Sequence, residues 1–487
     1  MHLSNDLCKY FFDVIGETVA AQTESPKDRL LRLRQIFENL LKELTRNAPL
    51  NSPTAYVRAV YVFNELNVPP NIQTDAHNFR KTANLCVHEM SFVTTEAHVN
   101  QGTRAILELI SFISGKPVPI GLEQQLSGAV NVAQPIQTAL SLTDISWMRG
   151  VVINAGVAGA PNRRILCGVE SPICLDQVTI ELTNGWQDVS LWPYATVAVS
   201  SIHATSTNLY ATTSESVVVV EPDILIDATT IANCFLQNSS NPLIHLANRF
   251  QDSTASEAMV KGNIVGLIFG YLLRDHEALF DVCYDRATKQ NATALTLLGP
   301  GSETALREDV RRQFTTLQRE VRKLGSGRIH VEATFFSSQY GINGRLDALI
   351  DSPQPKQKQI IELKSGRPVT APLTLRIDGV PVQSRVWAAN LAQAACYYLL
   401  MQSTDPELKV TQNILYSADA ISPLRTVAVT PMLQRSIVKL RNRIALIEWT
   451  LASGDATPLR QMTQVAMHDA PSYITSDVGA LERALAS

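Results

Sequence analysis

The sequence predicts an α/β fold preceded by a small β-barrel and an N-terminal helical region. Three observations lead to this prediction. Apolar residues first recur at helical spacing, short β-branched runs then follow one another closely, and from about residue 223 helical and strand patterns alternate. Strands that alternate with helices are typical of α/β folds, whereas short, closely spaced strands are typical of barrels and sandwiches.

Residues 1–125 form the predicted helical region, to which the sequence assigns no role. Apolar residues recur there three and four positions apart, as they do at Leu30, Leu33, Ile36, Leu40 and Leu41. Cys86 and His88 lie two positions apart, but no second pair follows at the spacing of metal ligands. We therefore expect both residues to be structural.

Residues 126–222 form the predicted β-rich region. It contains β-branched runs such as VVINAGVAG, QVTIELTNG, LYATTS and SVVVV, bounded by Gly, Asn, Ser and Pro. An oligonucleotide-binding barrel is one alternative, although the region lacks the dense aromatic and basic face of such barrels. Cys167 and Cys174 are too far apart and too isolated for a zinc site, so we expect a packed pair.

The overall composition limits the classes of function. The 487 residues carry a net charge of −3 with a pI of about 6.3, which excludes a scaffold that coats nucleic acid by charge alone. The seven cysteines are scattered and odd in number, so we expect a reducing compartment and no disulfide framework. The sequence has neither a signal-peptide pattern nor a long apolar run, and predicts a soluble protein of the cytoplasm, nucleoid or nucleus.

Residues 223–454 form the predicted α/β region, and residues 455–487 a linker or tail. Within it, 231–250 and 258–273 look helical, and a strongly periodic helix covers 306–324. The polar face of that last helix is rich in arginine, which predicts either a solvated surface or contacts with phosphate groups. The candidate phosphate contacts on it are Arg311, Arg312 and Arg319.

The chemistry is concentrated in the segment GINGRLDALIDSPQPKQKQIIELKSGRP, residues 341–368. Two strand-like runs joined by a polar turn predict a hairpin, in which Asp347 lies near Glu362. Two carboxylates and the backbone carbonyl of Leu363 suit a hard divalent cation, which lowers the pKa of a bound water. Lys364, on the same face as Glu362, would orient that water or stabilise the transition state.

The following helix, NLAQAACYYLLM, places Gln393 and Tyr397 on one face because they are four residues apart. Taken alone, the two residues are explained by a buried tyrosine and a glutamine that binds a backbone carbonyl.

Together these residues resemble the RecB-like branch of the PD-(D/E)XK (restriction-endonuclease-like) nucleases. The succession EPDILIDATTIANC, MVKGNIVGLIFGYL, HVEATFFSSQYGINGRLDALID, IIELKSG, NLAQAACYYLLM, NILYS and KLRNRI is similar to the nuclease domain of the DNA replication ATP-dependent helicase/nuclease family. The resemblance covers about residues 216–450. It implies a PD-(D/E)XK core and a role in processing flaps and ends during DNA replication and repair.

The resemblance also implies roles for single residues. Asp347 and Glu362 would bind Mg²⁺ or Mn²⁺, and Lys364 would assist the nucleophilic water. Gln393 and Tyr397 would orient the substrate and the active-site groups. Further positions match the family around the metal-binding strand: Glu332 as a supporting metal ligand, Gly341 and Gly344 in the turn that starts the strand, and Arg345 as a DNA contact.

The chain departs from the family pattern at two positions. Family members often carry a metal-binding His four residues after the glycine at position 262, where this chain has Gly266, and His276 is no evident substitute. The relatives bind an iron–sulfur cluster through one cysteine before the core and three after it. Here Cys234 lies near the first position and nothing follows Cys396, so we predict no cluster.

The sequence contains no P-loop motif, so we expect no ATPase motor in this chain. The leading hypothesis is a metal-dependent nuclease acting on single-stranded DNA, flaps or ends, with a helicase in trans or in a missing C-terminal region. The alternative is a nuclease fold that has lost catalysis and holds DNA or a partner helicase. A third hypothesis gives the first 220 residues an assembly role.

Overall fold

The computed structural model is a mixed α/β protein with two compact units, residues 1–213 and 214–487. The boundary falls inside a long strand, whereas the sequence places a boundary after that strand, at residue 222. The predicted linker or tail lies almost wholly outside the residues that the structure describes. These are residues 3–50, 53–89, 91–126, 143–171, 177–249, 256–298, 302–324, 327–352, 354–453 and 457.

The N-terminal unit begins with six helices around an apolar core. The second helix illustrates why they form: Ser25 caps it by accepting a hydrogen bond from the N–H of Asp28, and its Leu and Ile stripe is buried. Cys86 is buried, and the side chain of His88 lies outside the description. The helices are α1 (Asn5–Ala20), α2 (Pro26–Leu44), α3 (Ala55–Glu65), α4 (Pro70–His88), α5 (Glu96–Ser114) and α6 (Ile120–Leu126).

Five strands follow and close into a barrel in the order β1-β2-β3-β5-β4, with β3 parallel to β5. The runs LYATTS and SVVVV belong to one strand, β5, rather than to two. Cys167 is buried on β2, and Cys174 lies outside the described residues. The strands are β1 (Ile145–Asn154), β2 (Arg164–Ser171), β3 (Gln177–Glu181), β4 (Thr196–Ser206) and β5 (Leu209–Val220).

The C-terminal unit is built on a sheet in the order β13-β12-β9-β8-β6, with β7 also paired to β8. Helices α9, α10 and α12 share an apolar core with β8, β9 and β12, and α13 packs against β8 and β12. A separate two-stranded sheet, β10-β11, precedes α13.

The strands of this unit are β6 (Ile226–Asp227), β7 (Arg328–Ser337), β8 (Ile342–Asp351), β9 (Gln357–Lys364), β10 (Leu373–Ile377), β11 (Val380–Ser384), β12 (Lys409–Tyr416) and β13 (Leu424–Val427). Its helices are α7 (Ala228–Asn233), α8 (Leu243–Arg249), α9 (Glu257–Arg274), α10 (Phe280–Gln290), α11 (Ala292–Leu297), α12 (Ser302–Val321), α13 (Ala388–Thr404) and α14 (Pro431–Ser453).

The single helix predicted for residues 231–250 is wrong in one respect. The structure forms α7 and α8 there, separated by a turn that contains Asn241 and Pro242. Pro242 has no N–H to continue a helix, and the side chain of Asn241 accepts a hydrogen bond of 3.0 Å from the N–H of Leu243. The local turn chemistry therefore overrides the apolar periodicity.

Candidate active site

The candidate site lies where strands β8 and β9 part. Their recorded antiparallel pairing runs up to the pair Ala348 and Ile361, and Asp347 and Glu362 are the next residues on the two strands. Oδ2 of Asp347 accepts a hydrogen bond of 2.7 Å from the backbone N–H of Leu363. The structure thus brings together the side chains of Asp347 and Glu362 and the backbone of Leu363, which we call the carboxylate fork.

The backbone of Leu363 adds an oxygen atom to the carboxylate fork. In an extended strand, the N–H and C=O groups of one residue point to the same side. Because the N–H of Leu363 is bonded to Asp347, its carbonyl faces the same side as that carboxylate. Two carboxylates and a carbonyl are the kind of oxygen donors that hard divalent cations prefer.

The carboxyl group of Glu362 is buried and that of Asp347 is half-buried, and neither is fully compensated. The pKa of Glu362 is raised to about 8, mainly by burial and then by the neighbouring Asp347, while Lys364 opposes both effects. Burial also raises the pKa of Asp347, against the opposing N–H of Leu363. Oε2 of Glu362 has no hydrogen-bond partner among the described residues, although a buried oxygen normally has one. The two carboxyl groups therefore share the positive charge of Lys364.

A chain of hydrogen bonds runs from the carboxylate fork into helix α13. Nζ of Lys364 donates to Oε1 of Glu362 at 2.9 Å and to Oε1 of Gln393 at 2.7 Å. Nε2 of Gln393 donates to the hydroxyl of Tyr397 at 2.8 Å, and that hydroxyl donates to the backbone carbonyl of Arg345 at 3.0 Å. Each polar group thereby fixes the orientation of the next one.

The carboxylate fork opens into a cavity of about 440 Å³. Two glycines of α9 belong to its wall. A Cβ atom on Gly266 would meet nothing within 4 Å, whereas one on Gly262 would lie 3.5 Å from Oγ of Ser365. A larger side chain at position 266 therefore has room to extend. The cavity is lined by Asp227, Thr229, Gly262, Gly266, Arg345, Asp347, Glu362, Leu363, Lys364, Ser365, Gln393 and Tyr397.

Glu332 and Arg345 lie at the edge of the site. Glu332 is on β7, its backbone has the unusual φ of +53°, and its side chain is exposed. Its carboxylate lies 3.8 Å from the guanidinium of Arg345, and its charge contributes to the raised pKa of Asp347. Glu332 is therefore close enough to Asp347 to act on it electrostatically.

The three arginines predicted on α12 lie away from the cavity lining. Arg311 is 3.0 Å from Asp281, Arg312 is 3.2 Å from Asp309, and Arg319 is 3.0 Å from Glu320. Such pairs are what a solvated helix face contains, which was the alternative interpretation of this helix. Of the four arginines predicted to contact DNA, Arg345 is the one that lines the cavity.

The start of β8 is held by a buried arginine. Arg441 of α14 donates from Nε to the carbonyl of Gly341 at 3.0 Å. Gly341 has φ of +62°, and a Cβ atom there would lie 2.2 Å from the guanidinium. A Cβ on Gly344 would lie 2.9 Å from the ring of Tyr397. Glycine is thus required at position 341 by the positive φ and the contact with Arg441, and at position 344 by the close approach of Tyr397.

Sequence reasoning missed the cavity residues Asp227, Thr229 and Ser365. Asp227 ends β6 and caps α7, where its Oδ1 accepts a hydrogen bond of 2.8 Å from the N–H of Thr229. The local signal was present, because Asp is a preferred N-cap residue and a short run of small and β-branched residues, Ala228 to Ile231, follows it. What the sequence does not show is that β6 pairs with β8 beside the fork.

The two residues considered as substitutes for family ligands lie elsewhere. His276 is exposed and 3.5 Å from Glu277, and it does not line the cavity. Cys234 is buried, and burial raises the pKa of its thiol to about 11. Across the described ranges, no group of three or more His, Cys, Asp or Glu side chains converges as a metal cage. The fork itself offers an ion the two carboxylates and the carbonyl of Leu363.

Comparison with protein families points to the nucleases of DNA replication. The family model described as DNA replication factor Dna2 matches residues 175–328, which is less than half of the chain. The match includes all of β3 and all of α12, and it ends at the first residue of β7, so it supports a Dna2-like nuclease relationship without reaching the carboxylate fork. No curated protein matches the chain. Of the helices in the described part, none is long and apolar enough to cross a membrane.

Proposed function

We propose that the C-terminal unit is a RecB-like PD-(D/E)XK core that hydrolyses phosphodiester bonds of DNA. Its substrates would be single strands, flaps or ends, and its cofactor Mg²⁺ or Mn²⁺. The observation that carries the proposal is the pair of adjacent carboxylates, the buried Glu362 and the half-buried Asp347, with Lys364 hydrogen-bonded to Glu362. The Dna2 match supports the choice of DNA as the substrate.

The residues of the carboxylate fork fit a divalent cation. They supply three oxygen ligands, and the buried Oε2 of Glu362 has no hydrogen-bond partner in the part of the chain that the structure describes. Asp347, Glu362 and the carbonyl of Leu363 would hold the ion. When bound, such an ion lowers the pKa of a coordinated water and neutralises charge on the phosphate.

The other side chains of the site would position the reactants. Lys364 uses two N–H groups on Glu362 and Gln393, so its third N–H is free to donate to the attacking water or to a phosphate oxygen. Tyr397 fixes the amide of Gln393, which keeps Nζ of Lys364 in place. Arg345 at the cavity wall would bind a phosphate of the incoming strand.

The test is cleavage of a 5′-labelled single strand and of its duplex with Mg²⁺, with Mn²⁺ and with EDTA. We expect metal-dependent cleavage that Glu362→Ala abolishes. The matched control is Asp351→Asn, because Asp351 lies on the same strand but pairs with Lys358 and His330 outside the cavity. An equal loss of cleavage in Glu362→Ala and Asp351→Asn, or cleavage that persists in EDTA, would overturn the proposal.

One observation favours a second function, a DNA-binding module that has lost catalysis. Gly266 leaves open space in the cavity wall at the position where the resembling family often places a metal-binding His. If the purified protein binds strands but does not cut them, Gly266→His should restore metal binding. Such a module would hold DNA for a helicase supplied by another chain.

A further inference from the structure

We propose that Phe336 and Trp387 are stacking surfaces for the bases of a single DNA strand that enters the cavity. The proposal rests on the proposed function, because the strand is the substrate assigned there. It adds residues outside the cavity lining and a physical reason for preferring single strands to duplexes.

Both side chains are unusually exposed for aromatic residues. The exposed fraction is 71% for Phe336 and 46% for Trp387. In the described part of the C-terminal unit, they are the only exposed aromatic side chains. A single exposed apolar residue needs no explanation, so the argument depends on where these two lie.

Phe336 lies beside Arg345 on the same face of the sheet. On the antiparallel pair β7–β8, Thr334 is opposite Arg345 and Phe336 is opposite Asn343. Directly opposed residues share a face, and so do residues two positions along a strand. Phe336 is therefore the diagonal neighbour of Arg345, and the Cα atoms of such neighbours are about 7–8 Å apart. Phe336 is thus a neighbour of Arg345, which lines the cavity.

Trp387 is tied to the segment that leaves the cavity at the end of β9. Its Nε1 donates a hydrogen bond of 2.9 Å to the backbone carbonyl of Arg367. Arg367 is exposed and follows Ser365, a cavity residue, by two positions. The bond fixes one edge of the indole, which reduces the entropy lost when a base stacks on it.

Each location therefore pairs an exposed ring with an exposed arginine: Phe336 with Arg345, and Trp387 with Arg367. This is the combination that single-strand binding uses, since the arginine binds the backbone phosphate while the ring stacks on a base. Stacking accepts any base, so we expect little sequence preference. Bases in a duplex are already stacked on one another and are not available to the rings.

The experiment measures binding in EDTA, where no metal-dependent cutting occurs. A fluorescein-labelled oligo(dT) and a blunt duplex of the same length are titrated with wild type, Phe336→Ala and Trp387→Ala, and anisotropy is recorded. We expect each variant to raise the Kd for the single strand about tenfold and to leave the Kd for the duplex unchanged.

Three further variants separate stacking from loss of apolar surface. Leu279→Ala is the matched control, because Leu279 is also 71% exposed and does not line the cavity. We expect it to bind like wild type. Phe336→Tyr should retain binding because it keeps the ring, whereas Phe336→Leu should bind like Phe336→Ala. Unchanged single-strand binding in both aromatic variants, or equal weakening for the duplex, would overturn the inference.

Cleavage assays on the same proteins distinguish this inference from the proposed function. If the wild-type protein never cleaves DNA but binds single strands in a Phe336-dependent way, the proposal of hydrolysis is wrong and the proposal of a stacking surface is supported. If wild type cuts and the two aromatic variants keep its KM for single strands, the stacking surface alone is wrong.

Discussion

Two buried charged side chains of the C-terminal unit differ in how their surroundings compensate them. Arg441 is fully buried, and its guanidinium donates hydrogen bonds to the backbone carbonyls of Gly341, Val220, Glu221 and Ile224. Glu362 is 5% exposed, and its charge meets one lysine and a second carboxylate. One of its oxygen atoms has no partner in the described part of the chain.

The comparison separates a structural buried charge from a functional one. Carbonyl dipoles surround Arg441 and join α14 to the segment before β6 and to the turn before β8. Burial still lowers the pKa of Arg441 to about 9, but all three nitrogen atoms of its guanidinium donate hydrogen bonds. Glu362 keeps an environment that is unfavourable for its charge, and either a proton or a bound cation would relieve it. Stability should therefore depend on Arg441, and activity on the fork.

The largest expected effect is on cleavage. Asp347→Ala removes one of the two carboxylates of the fork and should lower the single-turnover cleavage rate at least about a thousandfold. The same variant should unfold at the wild-type denaturant concentration or above it, because a poorly compensated buried charge is gone. A variant that loses stability together with activity would contradict the assignment of this carboxylate to function.

Arg441→Met should have the opposite profile, with a large loss of stability. The change leaves several buried carbonyls without donors, and breaking such a network costs about 3–5 kcal/mol. Urea unfolding monitored by circular dichroism measures it. The matched control is Arg274→Met, since Arg274 is exposed at the end of α9. Equal stability of the two variants would show that the buried hydrogen bonds of Arg441 contribute little.

The pH dependence of stability sharpens the same comparison. Because the pKa of Glu362 is raised from 4.5 to about 8, the folded state keeps a proton that the unfolded state releases. In EDTA, the free energy of unfolding should therefore fall as the pH rises between these values, by at most about 1.4 kcal/mol per pH unit. Glu362→Gln should remove this component of the fall, which denaturation series at several pH values measure. An identical pH profile in both proteins would exclude Glu362 as its source.

The sequence predicts the local parts of the site and misses the parts that distant segments supply. The hairpin pattern predicts that Asp347 lies near Glu362 and that Lys364 shares its face, and helical spacing places Gln393 and Tyr397 on one face. The roles of Gln393 and Tyr397 in the site come from the family resemblance and not from the spacing. Asp227 is missed because β6 has two residues and forms no pattern of its own. Arg441 lies in the run KLRNRI, which has the composition of an exposed basic helix, and only the packing of α14 shows that it is buried. Period and spacing do not encode tertiary partners.

The smallest expected effect tests whether Tyr397 acts through its neighbours. Tyr397→Phe keeps the ring but removes the hydroxyl that accepts a hydrogen bond from Nε2 of Gln393. Because Oε1 of the same amide binds Nζ of Lys364, the lysine is then held less firmly. We expect the cleavage rate at saturating substrate to fall about three- to tenfold with an unchanged KM, since one neutral hydrogen bond is worth about 1 kcal/mol. Tyr416→Phe is the matched control, because the hydroxyl of Tyr416 binds Asn390 and does not line the cavity. If the two variants lose the same activity, Tyr397 supports the fold of α13 and does not position the lysine.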